Sequence, residues 1–243
     1  VLITGANKGI GLEAAKQLAQ QGFYVYLGSR NLENGLAAVE ELKAQGLNQV
    51  EAIQIDVSDS QSVKAARNEI GKKTEVLDVL INNAGISGDI TSQNALTATI
   101  DTFQEMFNTN LFGVVRVTQC FIDLLQKSAE PRIVNVSTSL ASHTMLSAPE
   151  SSFYAGMYPV YNSSKSALNM YTISLAYELR DTALKVNVVD PGYTKTDLTQ
   201  QQGTGTVEVA ANRIIKYTLI DKDGPTGKFF SEEYNPETGE IPW

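Results

Sequence analysis
The sequence carries one cysteine, Cys120, in 243 residues. It cannot form an internal disulfide, and it sits in the apolar stretch 117–125, where a buried thiol is expected. There is also one histidine, His143. That leaves no His/Cys metal cluster and no Ser-His-Asp arrangement, so no metal is expected. No apolar run approaches the ~20 residues that cross a bilayer, and no membrane association is expected. Positive charge is not in excess either, since 19 Lys and Arg stand against 27 Asp and Glu for a net −8. Phosphate backbones attract basic surfaces, so a nucleic-acid partner is not expected. The first residues already read as a strand, so a few residues are expected to precede Val1. With no signal-type segment visible, a cytoplasmic location is the expectation.

What remains is ordinary for a globular chain: 42% hydrophobic and 19% charged residues. Short β-rich runs at 1–4, 23–29, 50–56, 76–82, 132–137, 184–190 and 228–231 alternate with helical patterns. The helical patterns lie at 9–21, 32–45, 60–71, 100–127 and 160–180. Ser58-Asp59-Ser60, before Val63, is placed to cap the third of these. Strand–helix alternation with apolar strands predicts a single doubly wound α/β domain of the Rossmann type over residues 1–243. Its parallel seven-stranded sheet would carry helices on both faces. Polar stretches at 139–159 and 199–206 read as long loops, which in compact domains tend to be functional.

The opening run, Val1-Leu2-Ile3-Thr4, passes directly into Gly5-Ala6-Asn7-Lys8-Gly9-Ile10-Gly11. Strand, glycine turn and helix together make a backbone cradle for a pyrophosphate, which sits at the positive end of the helix. The second strand ends Leu27-Gly28-Ser29-Arg30, with no carboxylate to accept from an adenosine ribose. Arg30 instead suits a 2′-phosphate, and Lys8 adds a second cation. NADP(H) is therefore expected rather than NAD. Asp56 and Val57, ending the third strand, are placed to meet the adenine.

Three further stretches carry chemistry. Tyr161 and Lys165, four residues apart, share a helix face. An ammonium beside a phenol lowers its ordinary pKa of ~10, which makes the tyrosine a usable acid or base. Asn82-Asn83-Ala84-Gly85 follows the fourth strand. The fifth runs Arg132-Ile133-Val134-Asn135-Val136 into three hydroxyls, Ser137, Thr138 and Ser139.

In this order the motifs resemble the short-chain dehydrogenase/reductase family. The Thr4–Gly11 turn, Asn82–Gly85, Asn110, the Tyr161/Lys165 pair and Pro191-Gly192 all match that family's pattern. The stretch Asp190-Pro191-Gly192-Tyr193-Thr194-Lys195-Thr196-Asp197 and the tail Gly227-Lys228-Phe229-Phe230…Trp243 are similar to its NADPH-dependent carbonyl reductases. The resemblance implies an NADP-dependent oxidoreductase that reduces a ketone or aldehyde, a small-molecule carbonyl, to an alcohol. It implies Tyr161 as proton donor and Lys165 as holder of the nicotinamide ribose and depressor of the Tyr161 pKa. Asn110 would position a water, and Thr138 or Ser139 would be a second donor. Gly5, Asn7, Lys8, Gly9, Ile10, Gly11, Arg30, Asp56, Val57, Asn83, Ala84, Gly85, Pro191, Gly192 and Thr194 would join Tyr161 and Lys165 in holding the cofactor. Alternatives that share these residues are a non-enzymatic NADP-binding regulator, an alcohol dehydrogenase and a C=C reductase.

The chain departs from the family pattern twice. Where the family has Ser, this chain has Thr138, flanked by Ser137 and Ser139. The 23 positions from Thr138 to Tyr161 also exceed the family's usual spacing. In carbonyl reductases an insertion here lines the substrate site and covers a dimerisation helix. Met145, Leu146, Phe153, Tyr154, Met157 and Tyr158 are thus expected at the substrate, and a monomer is expected in preference to a dimer.

Overall fold
The computed structural model describes residues 1–89, 93–148 and 157–243. Seven parallel strands form one sheet in the order β3-β2-β1-β4-β5-β6-β7. They are β1 (Leu2–Ile3), β2 (Val25–Ser29), β3 (Val50–Gln54), β4 (Val79–Asn82), β5 (Arg132–Val136), β6 (Lys185–Val189) and β7 (Phe229–Phe230). Successive strand residues point to opposite faces. Ile3, Val25, Leu27, Val79, Ile81, Val134 and Val136 pack in one core with α1 (Gly9–Gln20), α2 (Leu32–Ala44) and α8 (Val207–Thr218). Their neighbours Leu2, Tyr26, Leu80 and Ile133 pack in a second core with α3 (Ser60–Gly71), α5 (Gly113–Leu125) and α7 (Pro159–Glu178). Two covered faces explain why these strands are apolar throughout instead of alternating. The doubly wound α/β architecture expected from the sequence is the one found.

Leu2 pairs with Tyr26 on one side and with Leu80 on the other. The strand order reverses between β1 and β4, so the loops after these strands diverge and open a crevice at the sheet's carboxyl edge. The glycine turn and Asn83–Gly85 therefore stand side by side there. Asn83 Nδ2 donates to the Thr4 and Gly5 carbonyls at 3.0 and 2.9 Å. Deeper in the sheet, Asn82 Nδ2 donates to Asn135 Oδ1 at 2.8 Å, and Asn135 Nδ2 donates to Thr172 Oγ1 at 2.9 Å. This buried chain ties α7 to the centre of the sheet, because each polar group lost from water needs its partner.

Within the expected Ser58–Ser60 stretch it is Asp59 that caps α3, accepting from the Gln61 N–H at 2.8 Å. Three elements differ from expectation. The helix expected over 100–127 divides into α4 (Ile100–Phe107), a π-helical turn over Asn108–Phe112, and α5. A π turn admits one extra residue and barely disturbs apolar spacing, so periodicity does not reveal it. It turns Asn110 fully inward. The stretch 139–159 holds a 3₁₀ turn over Ser139–Ala141 and the short α6 (His143–Leu146) among its described residues. Finally, α8 lies outside the helices expected, although Ala210, Ala211, Ile214 and Ile215 have helical spacing and are buried.

Candidate active site
Two adjoining cavities of about 610 and 620 Å³ open at the carboxyl edge of the sheet. Ile10, Asn83, Gly85, Thr196 and Leu198 border both. The first is floored by the glycine turn. Gly5 has φ +62°, and a Cβ there would stand 2.9 Å from Ala84 Cα. A Cβ on Gly11 would meet Asn83 Nδ2 at 2.5 Å. Only glycine fits at these two positions, which lets the two loops close on each other. At the mouth of α1, the N-cap Lys8 makes no side-chain cap bond and the first turn carries no acid. The first-turn N–H groups are thus left for an anion. Asn7, Lys8, Gly9, Arg30, Asp56, Val57, Ala84 and Gly85 line this same cavity, as the sequence suggests.

Two details add to the sequence reading here. Lys8 is not a free cation, because its Nζ pairs with Asp197 Oδ2 at 2.6 Å. Both side chains are largely exposed, so the pair is easily exchanged. Pro191, Gly192 and Thr194 line the second cavity, not the first. Asn34, Ser58 and Thr196, which sequence reasoning missed, border the first. They are common loop and helix-start residues and carry no signal of their own.

The second cavity gathers Thr138, Ser139, Tyr161 and Lys165. Tyr161 is half-buried in the first turn of α7, a helix that begins with Pro159 at its first position. Gln93 holds that turn: Oε1 accepts from the Tyr161 N–H at 2.9 Å, while Nε2 donates to the Ser87 carbonyl at 2.6 Å. No sequence signal marks Gln93, since an isolated glutamine in a loop has no pattern.

Lys165 is buried, and its ammonium donates to the Val136 carbonyl at 2.9 Å. Burial pulls its pKa down to about 8. The Tyr161 phenol is pushed up, first by burial and then by the charge of Asp190. This is the opposite of the depressed phenol expected from a neighbouring lysine, because burial, and after it the Asp190 charge, set the direction. Asn110 Oδ1 accepts from the Ile86 N–H at 2.9 Å, and its Nδ2 donates to the Ile86 carbonyl and Ser164 Oγ at 2.9 and 3.0 Å. A Cβ on Gly85 would stand 3.3 Å from Asn110 Oδ1 and 3.4 Å from Lys165 Nζ. Asn110 and Lys165 therefore flank the same glycine.

The three hydroxyls after β5 separate cleanly. Ser137 Oγ is buried and donates to Asn169 Oδ1 at 2.9 Å. Ser139 is buried. Thr138 is half-buried, and its Oγ1 accepts a 3.3 Å bond from the Leu140 N–H, so its own hydrogen is uncommitted by that contact.

The long 139–159 segment lines the cavity less than expected. Leu140 and Tyr158 do so. Met145 packs instead against the cluster of Val188, Phe229 and Ile241, Leu146 is buried, and Met157 is exposed. Phe153 and Tyr154 lie outside the described residues. The chain end closes over this segment: Ser142 Oγ donates to the Pro242 carbonyl at 2.7 Å and the Thr144 N–H to that of Trp243 at 3.0 Å. Glu233 and Tyr234, from the same tail, line the second cavity and were not foreseen. Among the described residues no cluster of metal ligands occurs, and no helix is long and apolar enough to cross a membrane.

The family model described as short chain dehydrogenase matches residues 1–206. The chain belongs to the short chain dehydrogenase family and is an oxidoreductase of that type. It is 33% identical to short-chain dehydrogenase/reductase 1 of Saponaria officinalis, over 95% of this chain and 93% of the relative. Salutaridine reductase from Papaver somniferum superposes with a TM-score of 0.82 at 30% identity, covering 95% of this chain and 98% of that one. NADPH-bound carbonyl reductase from chicken fatty liver superposes with a TM-score of 0.85 at 25% identity, covering 100% and 98%.

Proposed function
We propose that this protein reduces a ketone or aldehyde to an alcohol with NADPH, using Tyr161 as the proton donor. The observation that carries the reading is the convergence of the Tyr161 phenol and the Thr138 hydroxyl on a cavity that adjoins a glycine-cradled anion site. The residues fit the cofactor: the uncapped start of α1 receives the pyrophosphate, and exposed Arg30 at the rim meets the 2′-phosphate. The carbonyl reductase named above, an NADPH-bound structure, supports the same choice. Bound NADPH supplies the hydride. Tyr161 gives its proton to the oxygen that becomes the alcohol, and Thr138 donates a hydrogen bond to that oxygen as charge develops on it. Lys165, from the far side of Gly85, holds the nicotinamide ribose, and Asn110 steadies Ile86 beside it.

The cavity also restricts what enters. Tyr158, Tyr193, Tyr234, Leu140 and Leu198 form its walls. Its carboxylates are Asp190 and Glu233, and Glu233 is paired with Arg213 at 3.0 Å. Such a site favours a sizeable uncharged carbonyl compound over an anionic one. Incubating the protein with NADPH and a panel of ketones and aldehydes, and following nicotinamide absorbance, tests this. Turnover is expected with neutral cyclic or aromatic ketones; no oxidation of NADPH with any member would refute the reading.

The cofactor assignment has its own test. Arg30→Asp is expected to weaken NADPH by about ten- to a hundred-fold, the value of one charge-assisted hydrogen bond, with little effect on NADH. An unchanged NADPH/NADH preference would remove Arg30 from the 2′-phosphate site.

A further inference from the structure
Ile86 and Ser87 stand where the two cavities meet, Ile86 lining the first and Ser87 the second. Two relays run from these consecutive carbonyls to the backbone of Tyr161. In one, Gln93 Nε2 donates to the Ser87 carbonyl at 2.6 Å, and Gln93 Oε1 accepts from the Tyr161 N–H at 2.9 Å. In the other, Asn110 Nδ2 donates to the Ile86 carbonyl at 2.9 Å and to Ser164 Oγ at 3.0 Å. Ser164 Oγ in turn donates to the Tyr161 carbonyl at 2.7 Å. Gln93, Asn110 and Ser164 are each at most 2% exposed. The N–H and the C=O of Tyr161 are thus both tied to one short loop after β4.

The helix itself does not supply the first of these ties. The opening N–H groups of a helix have no partner within it, and an N-cap side chain commonly accepts from the second or third. Tyr158 is the N-cap of α7 and makes no side-chain cap bond. Gln93 takes that place from another segment, on the N–H of the third helical residue. A glutamine amide suits the task because it accepts and donates at once. The loop is wrapped against it: the chain turns at Gly88, φ +62°, where a Cβ would stand 3.5 Å from Gln93 Nε2 and 3.0 Å from Met106 Cε. Gln93 borders neither cavity, so any effect it has on the chemistry passes through Tyr161. We propose, resting on the reductase reading above, that Gln93 is a positioning residue. Together with Ser164 it locks the first turn of α7 in register with the Ile86–Ser87 loop, and so fixes the proton donor relative to the cofactor. A general acid works only within hydrogen-bond reach of the oxygen it protonates. Slack of about 1 Å in that turn slows the chemical step and leaves ligand binding largely intact.

The test is Gln93→Met on the full chain, which keeps the length of the side chain and removes both of its bonds. The single-turnover rate of NADPH oxidation by a saturating ketone is measured per NADPH-binding site, the sites being counted by fluorescence titration. That rate is expected to fall about 10- to 100-fold, with NADPH affinity and the KM for the ketone within a few-fold of wild type. A merely structural role would lower the number of sites and leave the rate per site unmoved. That result, or a wild-type rate, would overturn the proposal. If Gln93→Met does not fold, Ser164→Ala cuts the other relay: a lower rate per site is expected, and an unchanged one overturns the proposal. Tyr161 is also followed by NMR of [¹³Cζ]tyrosine in the NADPH-saturated protein, its signal identified by its loss in Tyr161→Phe. In the variant this signal is expected to shift or broaden, while that of Tyr26 on β2 stays in place. The NMR result stands apart from turnover. A wild-type protein that reduces no carbonyl sinks the reductase reading, and the Tyr161 signal then decides for Gln93: an unmoved signal overturns its positioning role.

Discussion

Tyr161→Phe is expected to lower kcat for carbonyl reduction by roughly 10²–10⁴-fold, the usual range for removing a general acid. The substitution deletes a single oxygen. It leaves the ring in place, and the Tyr161 N–H still reaches Gln93 because that contact is made by the backbone. The glycine cradle and Arg30 are untouched, so NADPH affinity is expected to stay within a few-fold of wild type. Stopped-flow reduction and fluorescence titration of NADPH read the two quantities separately. Near-wild-type turnover would end the acid assignment. A parallel loss of NADPH binding would instead assign Tyr161 to the cofactor site.

Thr138→Ala is expected to cost about 10²–10³-fold in kcat, as loss of one preorganised donor to a developing oxyanion does. Ser139→Ala, one residue on, is expected to cost far less. The physical difference is exposure. Ser139 is buried. Thr138 is half-buried, and among the described residues its Oγ1 accepts from the Leu140 N–H. Thr138→Ser keeps the donor and relaxes the stiff β-branched rotamer, so it is expected to recover most of the activity. Equal losses for the two alanine variants would leave the choice of donor without support. A larger loss for Ser139→Ala would reverse it.

Several features of the site depend on contacts that sequence spacing does not encode. The i, i+4 relation of Tyr161 and Lys165 is legible in the chain, and both lie on α7 as expected. Their electrostatic relation is not legible. It depends on Lys165 finding the Val136 carbonyl 29 residues away, and on Asp190 arriving from β6. The same holds for Lys8, whose partner Asp197 is 189 residues distant in sequence. Gln93 likewise acquires meaning only where the loop before α4 meets the start of α7. The segment 139–159 shows how resemblance misleads. The resemblance to carbonyl reductases suggested a substrate wall, but Met145 packs against Val188, Phe229 and Ile241, and Leu146 is buried.

The sequence by itself determined the architecture and the family. Strand–helix alternation, two-sided apolar strands and three glycines after β1 are local patterns, and local patterns follow from backbone sterics and side-chain period. It also located the cofactor cradle, since Gly5 and Gly11 are required where two loops approach within contact distance. Only the tertiary structure decided that Ser137 is bonded to Asn169 while Thr138 stays half-exposed, and which way the Tyr161 phenol is pushed. Hydrogen-bond partners and buried charges come from distant strands, and a phenol's acidity is set by burial and by those charges.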